Sequence, residues 1–510
     1  MARLHEYQGK ALLSKHGIAV PEGEVARTPA QARQAAQRIG GRVILKVQAW
    51  VTGRAAKGGV LFANTPDEAE AAAEKLLAMK FGNFPVTEVL IERVIDIADE
   101  IFVSLSIDDA AKSPVMLLDF HGGSGIEDRA ANVIRLPLDV HDGFDDEALR
   151  RPLAVSRIQP THHDAICATI RKVFEIARTY EARSLEINPL VTTIGSNPAP
   201  LVAADCRITI DDYAVFRHPE LGIEIARELD HPPTELERIA YAIEQADHRG
   251  TFYFAQLPTE GAEKSRGLIG FHGAGGGGSM MSMDAVTAAG FTLANFCDTS
   301  GNPSAAKVYR AARIILAQPG LVGYFGSGSG VASQEQFWSA YGLAKAFIEL
   351  NLSIPAVIRL GGNSEDRAVE ILQDSCSKLP APVEGYKKDD TPRFCAERFA
   401  TLVEQAGRKP WSPRPRIVPK FVGTSYSFPI NGGKVWIDHA TCDAATTDLV
   451  VRNSSNLLKY ENGKPVLAVS TDEIVGKDSE LIACEIECFR AGKPVVFVDL
   501  PIAGLDSRTV

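Results

Sequence analysis

Two periods of hydrophobic residues alternate along the chain and predict a mixed α/β protein. Between residues 1 and 220, short runs rich in Val, Ile and Leu follow longer stretches with apolar residues every three or four positions. Thr28-Pro29-Ala30 opens an alanine-rich helix (AQARQAAQRIGG), and VILKVQA follows as a strand. Asn64-Thr65-Pro66 opens a second helix (DEAEAAAEKLLAMKFG). TEVLIERV, EIFVSLSID and SPVMLLDF read as strands. The helix DAICATIRKVFEIARTY then precedes SLEINPLVTT and APLVAADCRITI, which pattern as a strand pair.

From Gly267 the theme changes to strand, glycine turn, helix. LIGFHGAGGGG runs into SMMSMDAVTAAGF, and FTLANFCD, VGYFGSGSG and IPAVIRLGG repeat the strand ends. Such a run predicts a doubly wound parallel sheet, with ligands gathered at the carboxyl ends of its strands. Residues 381–425 are rich in Pro and charge (LPAPVEGYKKDDTP, RKPWSPRPRIVPK) and read as a linker. KPVLAVS, DSELIACEIECFRAG and KPVVFVDLP predict a βαβ unit in a small α/β tail. The resulting division is a first α/β domain over 1–225, a helical connector over 226–265, a doubly wound domain over 266–380, the linker, and the tail over 426–510.

The length of 510 residues agrees with about three domains. A net charge of −10 argues against general nucleic-acid binding, which needs a basic face, but not against local cationic pockets. The amphipathic start, MARLHEYQGKALLSKHG, lacks the apolar core of a secretion signal, and no apolar run is long enough to span a bilayer. The 8 scattered cysteines suggest reduced thiols, so a cytoplasmic protein is expected. Cys484 and Cys488, four apart on a helix, read as core thiols, since no second pair offers ligand spacing.

Four groups of residues could carry chemistry. Lys46 follows an apolar strand and Arg54 sits in a glycine-rich turn, so the two could hold phosphate; they could equally be solvated cations of a hairpin. This is no P-loop, because no Gly-Lys-Ser/Thr opens a helix. Glu92 and Glu100 could meet a ribose or an adenine edge, or be surface charge. Asn188 and Asp205 would lie on adjacent strands as hard oxygen ligands of the kind Mg²⁺ shares with nucleotide phosphates, with Glu186 on the same face; an Asn-Pro turn and a strand-end Asp are the plainer alternative. FHGAGGGGSMM and FGSGSGVASQEQF both lead from a strand into a helix start, where N–H groups attract anions, although glycine also serves close turn packing.

In order, these pieces resemble the β subunit of succinyl-CoA synthetase, an ATP-grasp protein. LHEYQGKALLSKHGI, the loop at 46–59, ERVIDIADE, GGSGIE at 122–127, LEINPLV and VFRHPEL at 215–221 carry the resemblance over roughly residues 1–375. TSGNPSAAKVYRAARIIL and VIRLGGNSED are nearer to ATP-citrate lyase and citryl-CoA synthetase. The resemblance implies an ATP-grasp domain followed by a CoA-ligase-type domain. It implies that Lys46, Gly53, Arg54 and Ala55 hold ATP phosphates, that Glu92, Ile95 and Glu100 line the adenosine pocket, and that Asn188 and Asp205 hold Mg²⁺. Glu186 would contact a phosphohistidine brought by an α-type partner that also binds CoA, with Arg54 assisting. Such a subunit works in a hetero-oligomer on a small carboxylic acid, with CoA as co-substrate. His272 and the turn Gly326, Ser327, Gly328, Ser329, Gly330 would face the acid or the phosphohistidine. Arg359 could grip a carboxylate, which favours a di- or tricarboxylate.

The departures are also specific. Thr-Gly-Arg-Ala-Ala-Lys-Gly-Gly replaces a Gly-Gly-Arg-Gly-Lys-Ala-Gly-Gly run, which with Trp50 nearby should stiffen the loop. His272 stands at an asparagine position, GSGSG and DTSGN replace tighter glycine turns, and the tail from about 385 has no counterpart in the family. An ATP-citrate lyase-type subunit, a CoA-independent ATP-grasp ligase and a nucleotide-binding regulatory subunit are the alternatives.

Overall fold

A computed structural model describes residues 2–50, 53–120, 133–143, 145–194, 201–227, 229–247, 249–328, 335–470 and 472–506. The chain divides into two compact units, Met1–Pro233 and Thr234–Val510.

Besides the short hairpin Lys80–Phe81/Phe84–Pro85, the described residues of the first unit form two larger antiparallel sheets. The smaller has four strands in the order Gly23–Ala26, Val89–Arg93, Val43–Val47, Val60–Ala63. Helices Pro29–Ile39 and Pro66–Leu77 pack on it. Each begins with a threonine cap, Thr28 or Thr65, whose hydroxyl accepts the N–H of Gln31 or Glu68 at 3.2 Å, with proline at the first helical position. Their alanines bury small faces against Val43, Leu45, Val47 and Ile91. The larger sheet runs Ala2–Arg3, Arg207–Ile210, Ala182–Thr193, Ile97–Asp108, Ser113–Asp119, Ile134–Pro137, with Leu201–Ala203 also on Ala182–Thr193. The predicted strand pair at 182–210 is present. GGSGIE lies outside the described residues.

In the second unit Asn295–Asp298, Leu268–Ala274, Leu321–Gly328, Ala356–Arg359 and Val383–Tyr386 form a parallel sheet in that order. Helices Ala305–Ile315, Gln336–Glu349 and Glu365–Cys376 share one core, while Gly276–Ala288 and Pro392–Gln405 share another, so the sheet is covered on both faces as a doubly wound fold requires.

Three expectations change. Residues 226–265 are not only a connector: helix Glu235–Ala246 and strand Tyr253–Gln256 belong to the second unit, the strand pairing antiparallel with Asn295–Asp298. Residues 381–425 are not simply a linker, because Val383–Tyr386 is a sheet strand and Phe399 of the following helix is wholly buried; proline and charge outside these segments masked them. Among its described residues the tail contains no βαβ unit. Lys464–Leu467 closes a hairpin with Leu458–Glu461, and Val496–Asp499 pairs antiparallel with Gly433–Ile437 in a three-stranded sheet that includes Tyr426–Ile430. A helix between two apolar strands reads alike whether or not the strands pair, so the sequence pattern did not separate the cases. The tail has no core of its own, since Val435, Val450, Leu481 and Cys484 join the hydrophobic cluster of Tyr309, Tyr324 and Phe347. All eight cysteines are buried and free. Among the described residues no helix is long and apolar enough to cross a membrane.

Candidate nucleotide site

Alternation along Val43–Val47 sends Val43, Leu45 and Val47 into the helix-covered core and Lys46 to the opposite face. There its Nζ meets Glu6 Oε1 at 2.8 Å, Glu92 Oε2 at 2.9 Å and the carbonyl of Ala204 at 2.7 Å. Lys10 donates to both oxygens of Glu92 at 2.6 and 2.7 Å, lies 2.9 Å from Glu6, and shares the Ala204 carbonyl at 2.8 Å. Arg54 donates to the carbonyl of Val47 and to both oxygens of Asp205, each at 3.1 Å, and lies 2.9 Å from Glu6 Oε2.

Three cations and three carboxylates therefore balance in a largely buried cluster. Burial acts to raise the Glu6 carboxyl, but Lys46, Lys10 and Arg54 overcome it and hold it below the usual carboxylate range. Burial acts to lower Lys46, and Glu6, Glu92 and Asp205 more than offset it, so its ammonium stays charged. Asp205 is pushed up by desolvation and by Glu6, against Lys46 and Arg54.

The turn after Lys46 is tightly built. Gly53 takes φ 66°, and the N–H of Gly59 closes on the carbonyl of Arg54 at 2.8 Å. A Cβ on Gly59 would lie 2.8 Å from a methyl of Val47 and 3.0 Å from the Arg54 carbonyl, so only glycine fits. Ala55 and Lys57 are exposed on this turn. Trp50 stacks on His5 at 5.1 Å and meets the edge of Phe84 at 5.8 Å, which anchors one flank of the loop.

Register brings together Asn188 and Asp205, the two residues expected to hold a metal. Glu186 pairs with Arg207 and Leu190 with Ala203, which places Asn188 opposite Asp205, and Ala204 N–H donates to the Pro189 carbonyl at 3.0 Å. Asn188 Oδ1 is buried with no hydrogen-bond partner. An orphaned amide oxygen facing a carboxylate fits a hard cation that takes its remaining ligands from phosphate and water. Among the described residues no group of three His, Cys, Asp or Glu could hold a metal alone. Glu186, half-buried between Leu185 and Ile187, lies on the Asn188 face as alternation predicts.

Glu92 differs from expectation. It is almost fully buried and bound by Lys10 and Lys46, so it balances cations rather than standing open to a ribose. Ile95 and Glu100 are half-buried, Ile95 between two strands and Glu100 opposite Val191, and neither joins the charged cluster. Glu6 and Lys10 were not singled out in the sequence. Their signal is an i,i+4 Glu–Lys pair on the same buried face as Gly9, Leu12 and Leu13.

The expected acid site in the second unit is corrected more heavily. His272 is buried, its Nδ1 2.6 Å from the Tyr324 hydroxyl and its Nε2 2.8 Å from the Thr299 hydroxyl. Burial lowers it to about 4, so the ring is neutral and both nitrogens are engaged. Arg359 donates to the carbonyls of Asp390 at 2.7 Å, Gly328 at 2.9 Å and Lys388 at 2.5 Å, which fixes a loop and commits three of the five guanidinium N–H groups. Gly326, Ser327 and Gly328 are buried at a strand end, with the Ser327 hydroxyl 2.6 Å from that of Ser282. Ser329 and Gly330 lie outside the described residues. At the other glycine turn, the Gly275 N–H donates to Asp298 at 3.0 Å, so a carboxylate of the chain itself already takes one N–H of that turn.

A buried lysine and a loop arginine facing an Asn–Asp pair, between a four-stranded and a seven-stranded antiparallel sheet, define an ATP-grasp protein, and residues 3–192 match the ATP-grasp domain family. The chain belongs to the family of succinate–CoA ligase β subunits. It is similar to the GDP-forming subunit β of Thermus thermophilus, 33% identical over 375 residues that cover 72% of this chain and 93% of the relative. The ADP-forming subunit β of Ignicoccus hospitalis is 34% identical over 383 residues, 73% of this chain and 94% of that one. Among solved structures, ATP citrate lyase from Methanothrix soehngenii, in complex with citrate and coenzyme A, shares the fold at a TM-score of 0.62 and 18% identity, covering 79% of this chain and 99% of that one.

Proposed function

We propose that the chain is the nucleotide-grasping β subunit of an ADP-forming acid–CoA ligase that works with an α-type partner. The observation that carries this reading is the convergence of Lys46 and Arg54 on Glu6, with Arg54 also on Asp205 opposite the unpartnered oxygen of Asn188, within an ATP-grasp fold. Lys46 and Arg54 would exchange carboxylate partners for the phosphates of ATP. Asn188 and Asp205 would hold Mg²⁺, which neutralises charge on the transferring phosphoryl group. Glu186 would orient a histidine of the partner as it receives that group. The acid would then take the phosphoryl as an acyl phosphate, and CoA thiol would displace phosphate. The substrate is a small carboxylic acid, with two or three carboxylates favoured.

Purified chain is incubated with γ-labelled ATP and Mg²⁺, with and without co-expressed α-type subunits, and acids are then screened for CoA-dependent ADP release. Label on the partner's histidine, lost in Glu186→Gln, supports the reading. Acid-dependent turnover without CoA would favour the CoA-independent ligase, and binding without transfer would favour a regulatory subunit. A further expectation concerns Lys46→Met, which should weaken ATP binding by about 1.5–3 kcal/mol, the scale of a charged hydrogen bond. Calorimetric titration with ATP checks it, and unchanged affinity would remove Lys46 from the phosphate site.

A further inference from the structure

We infer that Glu6 is a positioning residue of the nucleotide site, one buried carboxylate that fixes both phosphate-binding cations, with Lys10 as its counter-charge. The inference rests on the nucleotide reading above and deepens it. Glu6 opens the helix Glu6–Lys15, where a carboxylate is favoured by the helix dipole. That helix start is itself held, because His5 N–H donates to Gln8 Oε1 at 2.8 Å. The two oxygens of Glu6 divide their work: Oε1 takes Lys46 at 2.8 Å and Lys10 at 2.9 Å, and Oε2 takes Arg54 at 2.9 Å. Lys46 comes from a strand and Arg54 from the turn beyond it, so Glu6 is the group that ties the loop cation to the strand cation. Lys10 faces both Glu6 and Glu92 and keeps the cluster neutral.

A simple counter-charge and a positioning group predict opposite signs. ATP is a polyanion, so removing a nearby negative charge should tighten its binding on Coulomb grounds alone. If Glu6 instead holds Lys46 and Arg54 in register for the phosphates, its removal weakens binding despite the more positive site. Glu6→Gln keeps shape and removes the charge. Glu6→Gln combined with Lys10→Met keeps the cluster neutral, which protects the fold.

The experiment is calorimetric titration of wild type, the single variant and the double variant with ATP and Mg²⁺, with thermal melting alongside. The expected result is about tenfold weaker ATP binding in both variants, on the order of the loss of one well-placed charged contact. In the complex reconstituted with its partner, KM for ATP should rise by a similar factor while KM for the acid stays unchanged. Equal or tighter ATP binding in the folded double variant overturns the inference and makes Glu6 a plain counter-charge. A wild-type chain that binds no ATP removes the nucleotide reading and the inference with it, whereas normal binding by wild type and variants alike removes only the role of Glu6.

Discussion

Replacing Asp205 by alanine is expected to lower kcat/KM of the Mg²⁺-dependent reaction by about a hundredfold, or about 2.7 kcal/mol. Asn188→Ala should do the same through loss of the facing oxygen. The reason is the donor set: Asn188 offers a buried amide oxygen with no partner in the protein, and the strand register brings the Asp205 carboxylate opposite it. A metal shared with nucleotide phosphates needs only one or two protein oxygens, so each carries a large part of the protein's share. Charge separates this effect from general damage. Asp205→Ala leaves Lys10, Lys46 and Arg54 against two carboxylates, so ATP binding without Mg²⁺ should be preserved or strengthened while turnover falls. Initial rates across a Mg²⁺ series, with metal-free ATP titrations beside them, test the split. Wild-type metal dependence in both variants would end the assignment.

Lys345→Met is expected to destabilise the protein by about 3–5 kcal/mol, the usual consequence of breaking a buried charge pair from one side. Lys345 is fully buried, 2.6 Å from Glu349 and 2.7 Å from Glu485, and lies over the rings of Tyr309 and Phe497. Tyr309 donates to Glu349 at 2.5 Å, and Val498 N–H to Glu485 at 3.1 Å, so the carboxylates cannot turn away. Burial already raises Glu485 to about 7, against the pull of Lys345. Without the lysine it would rise further, and the folded state would bind more protons than the unfolded chain above the ordinary carboxyl range. Stability of such a group is lost as pH rises through that window, so the deficit should be larger at pH 8 than at pH 5. Denaturant titrations at the two pH values check both size and sign. A change below about 1 kcal/mol at pH 8 would mean the site collapses or admits water.

Periodicity and caps made most of the fold legible. The Thr28 and Thr65 caps, the strands flanking Lys46 and the parallel strands ending in glycine all follow rules local to ten or fifteen residues. The Asn188–Asp205 pairing was also legible, because two adjacent strands with a short return leave few registers. Failures came where the answer lay far along the chain. Nothing near His272 announces that Thr299 and Tyr324 will take both ring nitrogens. Nothing near Arg359 shows that three carbonyls of distant loops will use its donors. Glu6 and Lys10 were hidden for a similar reason: they look like an ordinary surface pair until the two strands carrying Lys46 and Glu92 are laid over them.

The C-terminal segment brings a constraint on descent. Helix Asp478–Arg490 carries Glu485 against Lys345, and the chain end carries Asp506, hydrogen-bonded to Arg313 at 2.5 Å. Positions 313 and 345 lie on helices of the parallel-sheet fold; the segment supplies Asp506 to Arg313 and Glu485 to Lys345, which also keeps Glu349 of its own helix. A lineage that shed the segment would leave Arg313 without the Asp506 carboxylate and Lys345 with Glu349 in place of two acids. Gain or loss of the tail should therefore be accompanied in ancestry by a change at 313 more strictly than by one at 345.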